Sequence, residues 1–226
     1  MQLSVAVVAL CAAAAGHTQG FKFSQPDDSA KAKEQARQQT IAERLSTPCR
    51  AQLKDKKIML MIGEQQAGGI SAEQQNYGPH FQAINQRLRA LGLTTYTPEE
   101  IKKQIAQAEI DAYFKGNPDA ALSASRRLGA SFVLRGLIST QSVVNRVIQV
   151  NEVTVGMGFS LADASGRTIS DAAAHGGSFA GSDIRAIAAR LISEQADDVV
   201  AKLYSDYCTN AVVAEPPRKS EPARKK

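Results

Sequence analysis

The sequence has no tryptophan, only 5% aromatic residues, three cysteines and three histidines, and its longest apolar run is the fourteen residues Leu3 to Gly16. Each shortage excludes something. So few aromatic rings argue against a binding face built mainly from aromatics. Two histidines, His80 and His175, lie beyond the N-terminal stretch, and neither has grouped Asp, Glu or Cys partners, so no transition-metal ligand set can be read. A fourteen-residue apolar run is too short to cross a bilayer as a helix, which takes about 20 residues. What the 226 residues do contain, 43% hydrophobic and 22% charged, is the make-up of an ordinary globular domain. That rules out wholesale disorder and a collagen-like chain.

The run LSVAVVALCAAAAG has the length of the apolar core of a secretory signal, and small residues follow it. Residues 1–20 are therefore expected to be a signal peptide, cleaved after Ala15 or near Gly20, although only Met1 and Gln2 stand where a basic region belongs. Cys11 follows Leu10, which is too bulky for a lipidation signal. Cys11 belongs with the discarded segment, and a soluble periplasmic form is favoured over an outer-membrane lipoprotein.

Removal of the signal leaves Cys49 and Cys208, an even number in an oxidising compartment. A bridge between them is favoured over two free thiols buried apart. It would close a loop of about 160 residues, which in the chain-entropy model constrains the unfolded state by about 5 kcal/mol at most.

The formal net charge is +5. More than half of the excess falls in the last eighteen residues, where Arg218, Lys219, Arg224, Lys225 and Lys226 face Glu215 and Glu221. A nucleic-acid binder carries its cations on a folded face; these lie on a Pro-rich tail. Residues 209–226 read as a solvated, disordered end, with weak contact to an anionic surface as the sharper alternative.

Between the signal and the tail the pattern is regular. Residues 21–49 form a polar segment, with a surface helix over Ala30 to Leu45 leading into Thr47-Pro48-Cys49. Lys57 to Ile62 is a short apolar run of the kind buried on both faces of a sheet. Tyr77, Phe81, Ile84, Leu88 and Leu91 mark one stripe of a helix that ends at Gly92. Leu93 to Tyr96 is a short strand. Thr97-Pro98-Glu99-Glu100 is a helix start with a capping box, and Ile101, Ile105, Ala108 and Ala112 share one face. Asn117-Pro118 opens a second helix, closed by Gly129.

Ser131 to Ile138 is the clearest central strand, and Val143 to Val150 begins the next. Val153, Val155, Met157, Phe159 and Leu161 alternate with Thr154, Gly156, Gly158, Ser160 and Ala162, a strict period of two with small residues on one side. Asp163 to Gly166 forms a hairpin turn. Ser182 or Asp183 caps a last helix to about Tyr207, with Ile184, Ala188, Leu191, Ile192, Val199 and Leu203 inward. The fold class is α/β, with a single mixed sheet of about five strands covered by amphipathic helices. The order is β-α-β-α-α-β-β-β-α within residues 50–208.

Catalytic patterns are thin. Gly63 to Gly68 has the glycine spacing of a phosphate loop, but Gly69 and Ile70 replace the Lys and Ser/Thr that would hold phosphate and magnesium. It reads as a flexible loop, and no cofactor is expected. Gly176-Gly177-Ser178-Phe179-Ala180 is a degenerate nucleophile elbow that would need a histidine such as His175. Gly176, Gly177 and Gly181 are explained instead as the loop from the last strand into the last helix. Asp197-Asp198 and Glu99-Glu100 read as solvated helix faces or dipole partners.

The segment Leu128-Gly129-Ala130-Ser131-Phe132-Val133-Leu134-Arg135-Gly136-Leu137-Ile138, with Leu161-Ala162-Asp163-Ala164-Ser165-Gly166-Arg167-Thr168-Ile169, resembles Gram-negative envelope modules built like the N-terminal domain of the Tol translocation protein B. Related modules occur in the curli secretion channel subunit, the lipoprotein activators of penicillin-binding proteins and the middle domain of flagellar assembly protein T. The resemblance spans roughly residues 55–207. It implies a periplasmic, non-catalytic, protein-binding role and brings no catalytic residues with it.

The expected function is an exported adaptor or scaffold that binds envelope proteins in a flagellar, secretion or peptidoglycan synthase assembly, through a sheet edge or helix faces. The alternatives are an envelope-polymer hydrolase using Ser178 and His175, and a polyanion or membrane-surface binder acting through the tail.

Overall fold

The computed structural model describes residues 28–66, 69–71, 78–115, 117–180 and 183–214. The signal segment with Cys11, the tail from residue 215 onward, Tyr77, Gly68, Gly181 and Ser182 lie outside the described residues.

The chain begins with α1 (Asp28–Ser46) and the single turn α2 (Arg50–Leu53), then β1 (Lys57–Gln66), β2 (Gly69–Ser71) and α3 (Pro79–Ala90). Next come β3 (Thr94–Thr95), α4 (Pro98–Gln104), α5 (Gln107–Phe114) and α6 (Pro118–Leu128). Three long strands follow, β4 (Phe132–Asn145), β5 (Val150–Asp163) and β6 (Thr168–Ala180), and α7 (Ile184–Ala214) closes the fold.

The strands make one mixed sheet in the order β2-β1-β4-β5-β6, with β3 also on β1. β1 is parallel to β3 and β4, whereas β4, β5 and β6 form an antiparallel meander. β3 and β4 lie on opposite sides of β1, so right-handed crossovers place their helices on opposite faces. Ile58, Leu60 and Ile62 accordingly pack with Phe81, Ile84 and Leu88 of α3, while Met59 and Met61 pack with Ile101, Ile105 and Ile110 of α4 and α5.

Beyond β4 the described residues cover only one face. Val153, Val155, Met157, Phe159 and Leu161 of β5 bury against Leu191, Ile192, Ala196, Val199 and Leu203 of α7, as the alternation of β5 requires. The small residues opposite them are left to solvent, apart from Ala162.

The helix-covered side is fastened at several points. Cys49 and Cys208 are joined by a disulfide, with Cα atoms 5.6 Å apart, inside the span a disulfide bridges. Next to it the Tyr204 hydroxyl donates to the Thr47 carbonyl and accepts from the Cys49 amide. Arg87 of α3 pairs with Asp197 and donates to the Ser193 carbonyl, and Arg37 of α1 pairs with Asp198.

Several expectations change. Asp197 and Asp198 are not a solvated face, because each carboxylate holds a neighbouring helix against α7. The surface helix of the polar segment docks through Arg37 and the buried Ile41. The single helix expected after Thr97 is two, since Ile105 is extended at φ −129° and its side chain is buried between α4 and α5. The capping box at Thr97 and Glu100 is present, and Gly129 closes α6 in the left-handed region at φ 69°.

The expected loop at Gly63 is strand, because β1 runs on to Gln66 and β2 returns beside it. A Cβ on Gly63 would lie 2.8 Å from both Ile70 and Phe114, so glycine there permits their close approach. Gly176 and Gly177 are also strand, not loop. A Cβ on Gly176 would lie 2.8 Å from the Gln195 amide, so this glycine lets α7 sit close on β6. Asp183, whose carboxylate accepts from the Ala186 amide, caps α7. That helix continues through Ala214, six residues past Cys208.

Candidate functional site

The uncovered face of β4, β5 and β6 is built in rows set by strand register. Arg135 lies beside Ser160 and Asp171, Leu137 beside Gly158 and Ala173, and Ser139 beside Gly156 and His175. Gln141, Thr154 and Gly177 form the next row, then Val143, Glu152 and Phe179. Eight residues of β4 separate the first row from the last, about 27 Å at about 3.4 Å per residue.

The centre of this face is low because β5 contributes Gly156 and Gly158 there. Gly158 has no positive φ, and a Cβ placed on it would meet nothing within 4 Å. Neither backbone nor packing demands glycine at that point, although glycine within a strand weakens it by about 0.5–1 kcal/mol relative to alanine. Such a glycine commonly marks a place where another chain or ligand comes close.

At the Arg135 end the trough deepens into a pocket of about 710 Å³. Tyr113 and Phe114 from α5, Ile70 from β2 and Leu137 wall it, and Gly158 and Ser160 form its floor. The Arg135 guanidinium lies 5.7 Å from the centre of the Tyr113 ring, within cation–π range. Its Nε is buried and makes no hydrogen bond. A buried donor left unpaired costs about 1–3 kcal/mol. Asp171, in the same row, is two strands away, about 10 Å. At that separation in water the two charges interact by only about 0.4 kcal/mol. Two of the few aromatic residues thus wall one end of the face.

The next stretch is polar. Ser139, Gln141, Thr154 and His175 line a shallow groove of about 520 Å³ with Gly156 and Gly177 between them.

At the far end the β4–β5 hairpin projects past the helices. Asn145 organises its turn by accepting from the Val147 and Ile148 amides, and Gln149 takes the left-handed conformation at φ 52°. Val147 is 90% exposed, and Val143, Val144, Ile148 and, on β6, Phe179 are also exposed. An exposed apolar cluster of this kind signals an interaction surface.

Ser178 and His175 do not come together. They are three residues apart on one strand and therefore on opposite faces. The Ser178 hydroxyl lies 3.4 Å from the Arg190 guanidinium on the α7 side, while His175 stands in the trough beside Gly156. A Ser178/His175 hydrolase is incompatible with this geometry. His80 lies 3.9 Å from Glu64 at the far end of β1. Among the described residues no three His, Cys, Asp or Glu side chains gather as a metal site.

Sequence reasoning named His175 but missed Arg135, Tyr113, Phe114 and the hairpin tip. One signal was available: Arg135 is the only charged residue of β4, within its apolar first half and at the parity that faces away from α7.

No protein-family model matches the chain, and no curated protein matches it. Solved structures similar to it include the PelC dodecamer from Paraburkholderia phytofirmans, 19% identical, covering 70% of this chain and 91% of that one at a TM-score of 0.40. The LpoB C-terminal domain from Salmonella enterica is 15% identical and covers 62% and 93% at 0.40. Lipoprotein GNA1162 from Neisseria meningitidis is 15% identical and covers 61% and 93% at 0.37. Likeness of this degree assigns no function.

Proposed function

We propose that the chain is an exported, non-catalytic adaptor that binds other proteins within a bacterial cell-envelope assembly. The observation that carries this is the uncovered face of β4, β5 and β6, which joins a glycine-floored trough to an exposed apolar hairpin. The fold pairs one heavily fastened side with one broad side left open to solvent. The open side offers hydrophobic anchors at its end and polar groups along its floor, the mixture a protein interface uses. The signal segment and the paired Cys49 and Cys208 support the envelope as the compartment. Ser178 and His175 on opposite faces speak against the alternative of a hydrolase built on that pair.

Photoreactive amino acids placed at Val147 and Phe179, with Glu99 as control, test this in growing cells. Crosslinks from Val147 and Phe179 to periplasmic or outer-membrane proteins, and few from position 99, are expected. Exclusively cytoplasmic partners, or equal yields from all three positions, would refute it.

A further inference from the structure

We infer that the Arg135 pocket binds the C-terminal carboxylate of an extended peptide whose last side chain is apolar. This deepens the adaptor reading and rests on it. The pocket sets one cation, Arg135, and one carboxylate, Asp171, among apolar walls. The Arg135 Nε has no hydrogen-bond partner among the described residues, whereas Asp171 stands two strands away from it. A carboxylate is the group a guanidinium binds best, through two parallel N–H···O bonds. Ile70, Phe114 and Leu137 beside it supply apolar surface for one aliphatic or aromatic side chain.

The rest of the trough favours a peptide over a fatty acid, which would carry the same carboxylate on an apolar body. Beyond the pocket the floor changes from apolar walls to Ser139, Gln141, Thr154 and His175. Those hydroxyl, amide and imidazole groups match the N–H and C=O groups of a peptide main chain and would be wasted on an acyl chain. Gly156, Gly158 and Gly177 keep the floor low enough for a backbone to lie against it. The apolar pair Val143 and Phe179 stands where a peptide of about eight residues, at about 3.4 Å each, would leave the trough.

The test is an array of random octapeptides with free C-termini, duplicated with C-terminal amides and probed with the purified full chain. The expected result is selective retention of peptides ending in Leu, Val, Ile or Phe, with amidation reducing the signal at least tenfold. R135M, which keeps the stem and removes the charge, should abolish the difference between free and amidated peptides. R135K should restore part of it. G158V, whose Cβ would meet nothing within 4 Å, should lower retention of every peptide at least tenfold with a melting temperature no lower than that of the unaltered chain. Laurate at equal concentration should not compete.

Equal retention of free and amidated peptides, no retention of any peptide, or displacement by laurate would overturn the proposal. If R135M fails to fold, the comparison of free and amidated peptides on the unaltered chain still decides. Should the array fail while crosslinks from Val147 and Phe179 persist, the pocket assignment falls and the adaptor reading stands.

Discussion

The two faces of the β4–β5–β6 meander are made from alternate residues of the same strands, yet they differ in almost every respect. On one face Val153, Val155, Met157 and Phe159 are sealed under α7, which is held to α1 and α3 by a disulfide, a tyrosine clamp and two arginine–aspartate pairs. On the other, Thr154, Gly156, Gly158 and Ser160 leave a trough that no element of the described chain covers. The first face carries the buried core, and the second is the one proposed to bind. Substitutions should therefore sort by face: those under α7 should lower stability, and those in the trough or hairpin should leave it nearly intact and alter binding.

The largest effect belongs to the buried face. Leu134→Ala empties a site that is 0% exposed and should cost about 2–5 kcal/mol in denaturant unfolding. A loss under about 1 kcal/mol would mean that the face is not the packed core described here. Cys208→Ser should cost about 2–4 kcal/mol by opening the bridge to Cys49. Unreduced wild-type protein should show no free thiol at either position by mass mapping of the mature chain, and two free thiols would contradict the disulfide.

A smaller, graded effect is expected in acid. The hydrogen bond from Arg37 holds the Glu34 carboxyl down to about 2. Burial works to raise Asp206, but donors on Lys202 and Ser170 outweigh it and leave the group below its ordinary value. Asp163 is likewise raised by burial and lowered further by Ser165 and Arg167. Each of these groups is more acidic folded than unfolded. The unfolded chain therefore binds more protons as the pH drops, and stability falls. Stability should be level from pH 7 to about pH 5 and decline below about pH 4, through the folded-state values. A stability maximum in that acid range would contradict the assignment.

How much could be read from the sequence also divides by face. The alternation of β5, the stripe of α3, the capping box at Thr97 and the Cys49/Cys208 pairing were legible because each is a local or covalent consequence of residue type. What failed depended on tertiary contacts. Asp197 and Asp198 look like solvated charges until Arg87 and Arg37 arrive from distant helices. Gly176 and Gly177 look like loop residues because glycine marks turns, whereas here one of them makes room for Gln195. The valines and isoleucine on both sides of Asn145 and Arg146 (Val143, Val144, Val147, Ile148, Val150) read as one strand and hid the turn at Asn145, since short apolar pairs without alternation give no sign of where a strand ends. The trough could not be seen at all. Gly158 becomes notable only when the empty space above it is known.

The most direct test of the division between faces pairs two measurements on one variant, Val147→Ser with Phe179→Ser. The account predicts an unfolding free energy within about 0.5 kcal/mol of the unaltered chain, as for surface positions generally, and loss of crosslinks from a photoreactive group at Ile148 to its envelope partners. A variant that unfolds readily, or one that crosslinks as well as the unaltered chain, would contradict it.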